Sequence, residues 1–490
     1  MTASDLALES LHAAATSIFT QALDACRIES AFDHRIQIEG SLLRRRIAGD
    51  GPSEIDLDSF QRIFVIAVGK AAPAMLDTLF ARMSRRRGVR GICCSGQLPA
   101  KRNWRIRYFE GGHPLPNEDS FAAARAALTM LRKARKDTLV IFLISGGASA
   151  LFDLPLDADI SLEDTMLFHQ ALLASGAPIT EINTIRKHFS AVKGGRLALA
   201  AAEATKLSII LPDVPLRSID IVASGPTVPD HTTIDEALAV IAKYDLMAKF
   251  PASVRDFFSR ADLPESPGNK SRTGPLLSRI PWKDIPWAES LPAGLRRSLA
   301  DSQPTEEDAF RNSIFDVLLS SQDFVEQAQA IAEKQGYLAI IDNSCDDWDY
   351  AAAANYLLNR FHSLRRQHPR CCLISGGEVT VTLNRTPGAG GRNQQFALEC
   401  ALELASYTGE NLVVFSAGSD GIDGNTRSAG AIADRTTVSR ALAFGFNPEQ
   451  ALAEFNACPL FTALGDTVVT GPTGHNLRDL RLLISEPPEA

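Results

Sequence analysis

Runs of apolar, largely β-branched residues that stop on glycine recur along this chain, and they narrow its fold more than any other feature. RIFVIAV (62–68) stops at Gly69, TLVIFLIS (138–145) at Gly146-Gly147, RCCLIS (370–375) at Gly376-Gly377 and NLVVFSA (411–417) at Gly418. A strand that is apolar at every position must be covered on both faces, which is the situation of a parallel sheet between helices. Helical patterns fill the intervals. AAPAMLDTLFARM follows Lys70, and Ser161 with Asp164 three residues on is a helix-start signature. A further helix sets Ile182, Ile185, Phe189 and Val192 on one face and leaves Arg186 and Lys187 partly off it.

The pattern lapses over 262–306, where Pro264, Pro267, Pro275, Pro281, Pro286 and Pro292 break any long element. The expected division is therefore an N-terminal domain over 1–262, a proline-rich connection over 263–309 and a smaller C-terminal α/β domain over 310–490. FDVLLSS (315–321), YLAIIDN (337–343), RCCLISGG (370–377) and EVTVTLN (378–384) are its expected strands, with NLVVFSAGSDG beyond. A chain of 490 residues has room for such domains, each with its own core.

Several classes drop out. The net charge of −8 does not attract polyanions, so no nucleic-acid partner is expected. No apolar run reaches the ~18 residues of a membrane span, and the N-terminus lacks the basic and apolar regions of a signal peptide. The eight cysteines show no C-x-x-C spacing and fit small buried hydrophobes in a reducing cytoplasm.

Chemistry-bearing residues gather on glycine turns. Lys70 lies in VGKAAPAM; Ser145, Gly146, Gly147 and Ser149 in LISGGASAL; Asp213 and Gly225 in LPDVPLRSIDIVASGPT; Gly390, Gly391, Arg392 and Asn393 in GAGGRNQQ; Asp420 and Asp423 in SAGSDGIDGNT. Glycine turns after strands let backbone N–H groups converge on phosphate oxygens, and a helix starting there adds positive partial charge. Arg392 offers a fork for phosphate or carboxylate, and Asp213 and Asp420 are hard oxygen ligands suited to Mg²⁺. Each also has a plain structural use: Lys70 as a solvated helix-start residue, Asp420 and Asp423 as turn formers, His113 as a loop residue, Lys187 and Lys193 as decoration of a helix face. No Walker-A loop, dinucleotide fingerprint or nucleophile elbow is present. The residues thus define an anion-binding α/β enzyme without naming its substrate.

Taken in order, VGKAAPAM, GGHPLPNEDS, LISGGASALF, INTIRKHFSAVKGGRLA, LPDVPLRSIDIVASGPTVPD, LISGGEVTVTL, GAGGRNQQFAL, SAGSDGIDGNTRSAGAIAD and TGPTGHNLRDL resemble the class II glycerate 2-kinases over about 10–245 and 310–480. The resemblance implies a Rossmann-like parallel sheet followed by a MOFRL domain, with transfer of the γ-phosphoryl of ATP to the 2-hydroxyl of D-glycerate in the presence of Mg²⁺. Lys70 and Arg392 match the family's important lysine and arginine, and Lys193 and Asn393 complete the set as substrate-binding candidates. His475 stands where a small residue is usual, and LPDVPLRSID lacks the usual glycine–aspartate pair. The expected partner is a small molecule, and a homo-oligomer is compatible with the chain. A nicotinamide-dependent hydroxypyruvate reductase and a non-catalytic sugar-acid-binding relative are the competing readings. Lys70 and Arg392 are expected to act on one transferred group from opposite domains.

Overall fold

The computed structural model describes residues 3–46, 53–83, 88–214, 222–268, 309–407 and 410–487. Most of the proline-rich stretch therefore lies outside the described residues. The chain divides into two units, Ala31–Leu318 and Met1–Ser30 with Leu319–Ala490.

The first unit opens with a small antiparallel sheet of β1 (Ile36–Glu39), β2 (Leu42–Arg45) and β3 (Glu54–Asp56). Its main sheet holds β4 (Arg62–Val68), β5 (Val89–Ser95), β6 (Ile106–Glu110), β7 (Thr138–Ser145), β8 (Thr205–Leu211) and β9 (Ser313–Val317). All neighbours are parallel, in the order β6-β5-β4-β7-β8-β9. Every residue of β7 is buried, as its unbroken apolar run requires. The helices Leu162–Leu173, Ile179–Phe189, Ile234–Lys243 and Ala252–Phe258 gather round a separate aromatic cluster, with the Phe168 and Phe189 rings 4.1 Å apart.

The second unit carries a mixed sheet of β10 (Leu338–Ile341), β11 (Cys371–Gly376), β12 (Leu412–Gly418), β13 (Gly430–Asp434), β14 (Thr467–Val468) and β15 (Asp479–Ser485), in the order β10-β11-β15-β12-β13-β14. Only β10 and β11 run parallel. The helix Ala3–Ala25 packs here, with Phe19 fully buried against Phe324 and Phe415 at ring distances of 5.8 and 5.0 Å.

These placements redraw the expected division. The N-terminal helix belongs with the C-terminal sheet, and β9 is the last strand of the N-terminal one. Long-range pairing decides both. β9 aligns Ser313–Val317 with Lys206–Ile210 of β8, and its Asp316 forms a bidentate pair with Arg45 of β2, Nε to Oδ2 at 2.6 Å, both side chains sealed from solvent. The expected strand over 315–321 ends early because Ser320 caps the helix Ser321–Lys334, its hydroxyl accepting from the Asp323 N–H. EVTVTLN forms no strand. Its contribution is one bridge from Thr380 to Asp349, and Leu383 is exposed.

Asp316→Ala leaves a buried guanidinium without its carboxylate. It should lower unfolding free energy by roughly 3–5 kcal/mol, read from the denaturant midpoint. An unchanged midpoint would show that β9 is not held by this pair.

Candidate active site

In the parallel sheet the strand order reverses between β4 and β7, so a crevice forms beyond their carboxyl ends, where doubly wound sheets bind ligands. Chain chemistry brings the two strand ends unusually close. Gly69 has φ +115°, and a Cβ there would lie 2.4 Å from both the carbonyl oxygen and Oγ of Ser145, so only glycine fits. The Lys70 N–H donates to the Gly146 carbonyl at 2.9 Å, and the Ala71 N–H donates to Ser145 Oγ at 3.0 Å.

Lys70 itself is exposed, and its stem crosses Gly147: a Cβ on Gly147, at φ +79°, would meet Lys70 Cγ and Cε at 3.1 Å. Beyond β8, Asp213 lays its carboxylate over Gly146, where a Cβ would be 1.9 Å from Oδ2. Lys70, Ser145-Gly146-Gly147 and Asp213 therefore share one edge. The helix Ala72–Arg82 also starts here, its Ala71 N–H held by Ser145 Oγ and its Ala72 N–H by the Gly69 carbonyl at 3.2 Å, so its positive end lies at this edge. By contrast, the helix after Gly147 is only Ala148–Leu151, too short to add a useful dipole.

A second chain of contacts reaches the same turn. Ser149 Oγ lies 3.0 Å from Ser224 Oγ, which donates to Asn183 Oδ1 at 3.0 Å. Ala223, Ser224 and Gly225 all have positive φ, at 53°, 58° and 63°, a run of left-handed backbone that two non-glycine residues adopt only under constraint. Gly225 was expected to bind phosphate. Its N–H is instead engaged by Val222 O at 2.9 Å and its carbonyl by the Gly195 N–H at 2.7 Å.

Lys193 was expected to bind substrate, yet only 1% of it is exposed and it forms an ion pair with Asp153. Asp153 also accepts from His169 at 2.8 Å and from Ser190 Oγ at 2.6 Å, so burial closes this lysine inside a polar network. Lys187 is likewise no surface decoration: it is buried, with Nζ 3.1 Å from Asp230. His113 is exposed, and desolvation of its ring, with the Lys70 charge acting on it, pushes its pKa down. Its loop is fixed to the same edge, for a Cβ on Gly111 would lie 2.3 Å from Leu151 O.

In the other unit the expected phosphate turn is already filled. The helix Arg392–Leu404 begins with the Asn393 and Gln394 N–H groups donating to Asp423 at 3.0 and 2.9 Å. A Cβ on Gly391 would strike Asp423 at 2.3 Å, and the Gly390 N–H donates to Asn425 Oδ1 at 3.0 Å. Asn393 is buried, its Oδ1 accepting from Ser416 at 2.6 Å. Arg392 pairs with Asp479 through Nε and Nη2 at 2.6 and 3.0 Å and with Glu378 through Nη2 at 2.7 Å. Two carboxylates therefore outweigh its charge. Asp420 accepts from the Ile422 N–H at 3.0 Å as a turn former. Asp213 and Asp420 sit in different units, and no group of three or more His, Cys, Asp or Glu placed to hold a metal occurs among the described residues.

Family models match residues 14–259 as a domain of unknown function, DUF4147, and residues 371–479 as the MOFRL family. The glycerate 2-kinase of Pyrococcus horikoshii is 33% identical over 428 residues, 86% of this chain and 87% of that protein. The D-glycerate 2-kinase of Thermotoga maritima is 31% identical over 429 residues, 86% and 90% of the two chains. Two Agrobacterium vitis relatives, 34% and 33% identical, bear a provisional hydroxypyruvate reductase name. Among solved structures, a Pyrococcus horikoshii protein superposes with a TM-score of 0.75 at 29% identity, covering 97% of this chain and 98% of its own. A Thermotoga maritima glycerate kinase gives 0.73 at 27%, covering 97% and 100%. Sheet order and switch point define a doubly wound fold with a second α/β unit, and the glycerate kinase relatives make it a phosphotransferase. The chain belongs to the class II glycerate kinase family.

Gly147→Val forces a branched side chain into left-handed backbone against the Lys70 stem. Activity should fall by about 10²-fold or more as Lys70 is displaced. Parental turnover in this variant would reduce the turn to a connector.

The buried network also predicts an acid response. Burial, opposed by Asp153, lowers the His169 pKa to about 4, and its Nδ1 has no acceptor for a second proton. His188 is lowered to about 4 by burial and Arg196. A depressed folded-state pKa gives stability that is full above the usual value of about 6.5 and is lost as pH falls toward about 4. Thermal melts across that window should fall more steeply for the parent than for His169→Gln; parallel slopes would contradict the assignment.

Proposed function

We propose that this protein transfers the γ-phosphoryl of ATP to the 2-hydroxyl of D-glycerate, forming 2-phosphoglycerate and ADP at the β4–β7 switch point. The new bond joins the C2 oxygen to the γ-phosphorus, the bond from that phosphorus to the β–γ bridging oxygen breaks, and the hydroxyl proton leaves. The observation carrying this reading is the convergence of Lys70, the Ser145-Gly146-Gly147 turn and Asp213 at the start of the helix Ala72–Arg82. Phosphoryl transfer needs positioning and neutralisation of charge more than covalent help, and this edge offers both.

Lys70 would neutralise the transferring group, and the missing side chains of Gly146 and Gly147 leave room for the Asp213 carboxylate and the Lys70 stem to reach this edge. Asp213 suits Mg²⁺, which commonly binds through one or two carboxylates plus substrate phosphates and would spread the phosphoryl charge. Arg392 plays a narrower part than a free cation would, because only its Nη1 lacks a partner among the described residues. A cytoplasmic setting is supported by eight unpaired thiols; no described helix is long and apolar enough to cross a membrane.

The sheet order alone would also suit a dinucleotide, so the reductase reading has a direct control: hydroxypyruvate should leave the reduced-nicotinamide absorbance unchanged. A coupled ADP assay over a panel of sugar acids, with phosphorus NMR of the product, tests the kinase. ATP should be consumed only with glycerate or a near analogue and a divalent cation. Lys70→Ala should lose about 10²–10³ in kcat with little change in melting temperature, since the lysine is exposed. ATP consumption indifferent to the acid, or near-parental turnover in Lys70→Ala, would overturn the proposal.

A further inference from the structure

Arg186 was read from the sequence as a residue at the margin of an apolar helix face, and the structure gives it a different character. It lies in the last turn of the helix Ile179–Phe189 and is only 6% exposed. Its Nε is buried without a hydrogen-bond partner among the described residues. A sealed cation is costly unless something of opposite charge comes to it.

Among the described residues the neighbours do not supply that charge in full. On one side stands Asp153, already held by Lys193 and His169. On the other stands His113, which senses Lys70 and Asp213 as well as Arg186. Lys70, Arg186 and Lys193 are three cations against two carboxylates, Asp153 and Asp213, so these groups keep one positive charge in excess. Position matters equally. Asn183, one helical turn before Arg186, reaches Ser149 of the glycine turn through Ser224. Residues three apart share a helix face, so Arg186 is directed toward the same turn.

We infer that Arg186 is the subsite for the carboxylate of the acceptor acid, a positioning residue that holds glycerate while its neighbouring C2 hydroxyl meets the phosphoryl group. The inference rests on the reading of this edge as a glycerate kinase site. One excess charge matches one monovalent anion. A planar two-oxygen group matches the guanidinium fork. The triphosphate, with several charges and its cation, suits the exposed Lys70–Asp213 edge better.

The test uses the full chain with Arg186→Met and Arg186→Lys. KM for D-glycerate should rise about tenfold to hundredfold in Arg186→Met and by a smaller factor in Arg186→Lys, while KM for ATP stays within about twofold. The parent should prefer glycerate strongly over glyceramide, in which an amide replaces the carboxylate, and Arg186→Met should lose that preference. Because the removed guanidinium has no hydrogen-bonded partner among the described residues and Asp153 stays paired with Lys193, unliganded Arg186→Met should melt at or above the parent. A rise in KM for ATP alone, unchanged constants, or a lowered melting temperature with glycerate discrimination intact in Arg186→Lys would overturn the assignment. If the parent phosphorylates no glycerate, calorimetric titration with glycerate separates the two ideas. Binding lost in Arg186→Met keeps the subsite, and equal or absent binding in the parent removes it.

Discussion

The approach of Gly69 to Ser145 sets the terms for the rest of the edge beyond β4 and β7. With a Cβ excluded at 2.4 Å from two Ser145 atoms, the β4 turn sits directly on the end of β7, and the Ala71 N–H closes the contact on Ser145 Oγ. That fixes where the helix Ala72–Arg82 begins and sends the Lys70 stem over Gly147. Gly146 then leaves room for the Asp213 carboxylate. Each small residue along this path admits the next contact, so the edge is positioned by backbone rather than by mobile side chains, the kind of support a phosphoryl-transfer site needs.

LISGG occurs twice, at 143–147 and 373–377, and the two copies show that a motif alone does not make a ligand site. In the first copy the space beside the glycines is taken by the Asp213 carboxylate and the stem of the exposed Lys70. In the second, the Gly376 and Gly377 carbonyls accept from Arg481 Nη2 at 3.2 and 3.0 Å, and a Cβ on Gly377 would lie 2.5 Å from Asp346 Oδ1. Side chains from β15 and from the β10–β11 connection occupy the space a ligand would use. The same is true at Gly390-Gly391, where Asp423 stands in for the expected phosphate. Its carboxyl is pushed up to about 6 by burial, against the two N–H groups it accepts from. The residues offering N–H groups were legible in the sequence; the carboxylate that fills them comes from about thirty residues away and was not.

Local signals carried the strands and helix caps well, because an apolar run or a serine before a helix reports its own surroundings. Ser161 does cap the helix Leu162–Leu173, accepting from the Asp164 N–H at 3.0 Å. What escaped were features defined by pairing across the chain. β9 carries Asp316 as its fourth residue of five, which looks unfit for a covered strand until Arg45 is seen to meet it. Periodicity placed Ile182, Ile185 and Phe189 on one face correctly, but it treats charge as exposure. Lys187 and Arg186 are buried because Asp230 and the interior near Asp153 lie against them. No signal within the helix itself distinguishes the two outcomes.

Charge then separates the roles of the two basic residues first picked from the motifs. Around Lys70 and Arg186 the balance is positive, and an incoming anion relieves it. Around Arg392 the balance is negative, because Asp479 and Glu378 both bind the guanidinium, and the Asp479 side chain is 1% exposed. A guanidinium held this way stays charged, since the carboxylates raise its pKa further. It has little attraction left for a phosphate and one nitrogen left to point. Its fixed fork makes that nitrogen a directional donor rather than a source of charge. Of the two, Lys70 is therefore the one whose charge is available to an anion, and Arg392 is a guanidinium whose orientation depends on Asp479 keeping it in place.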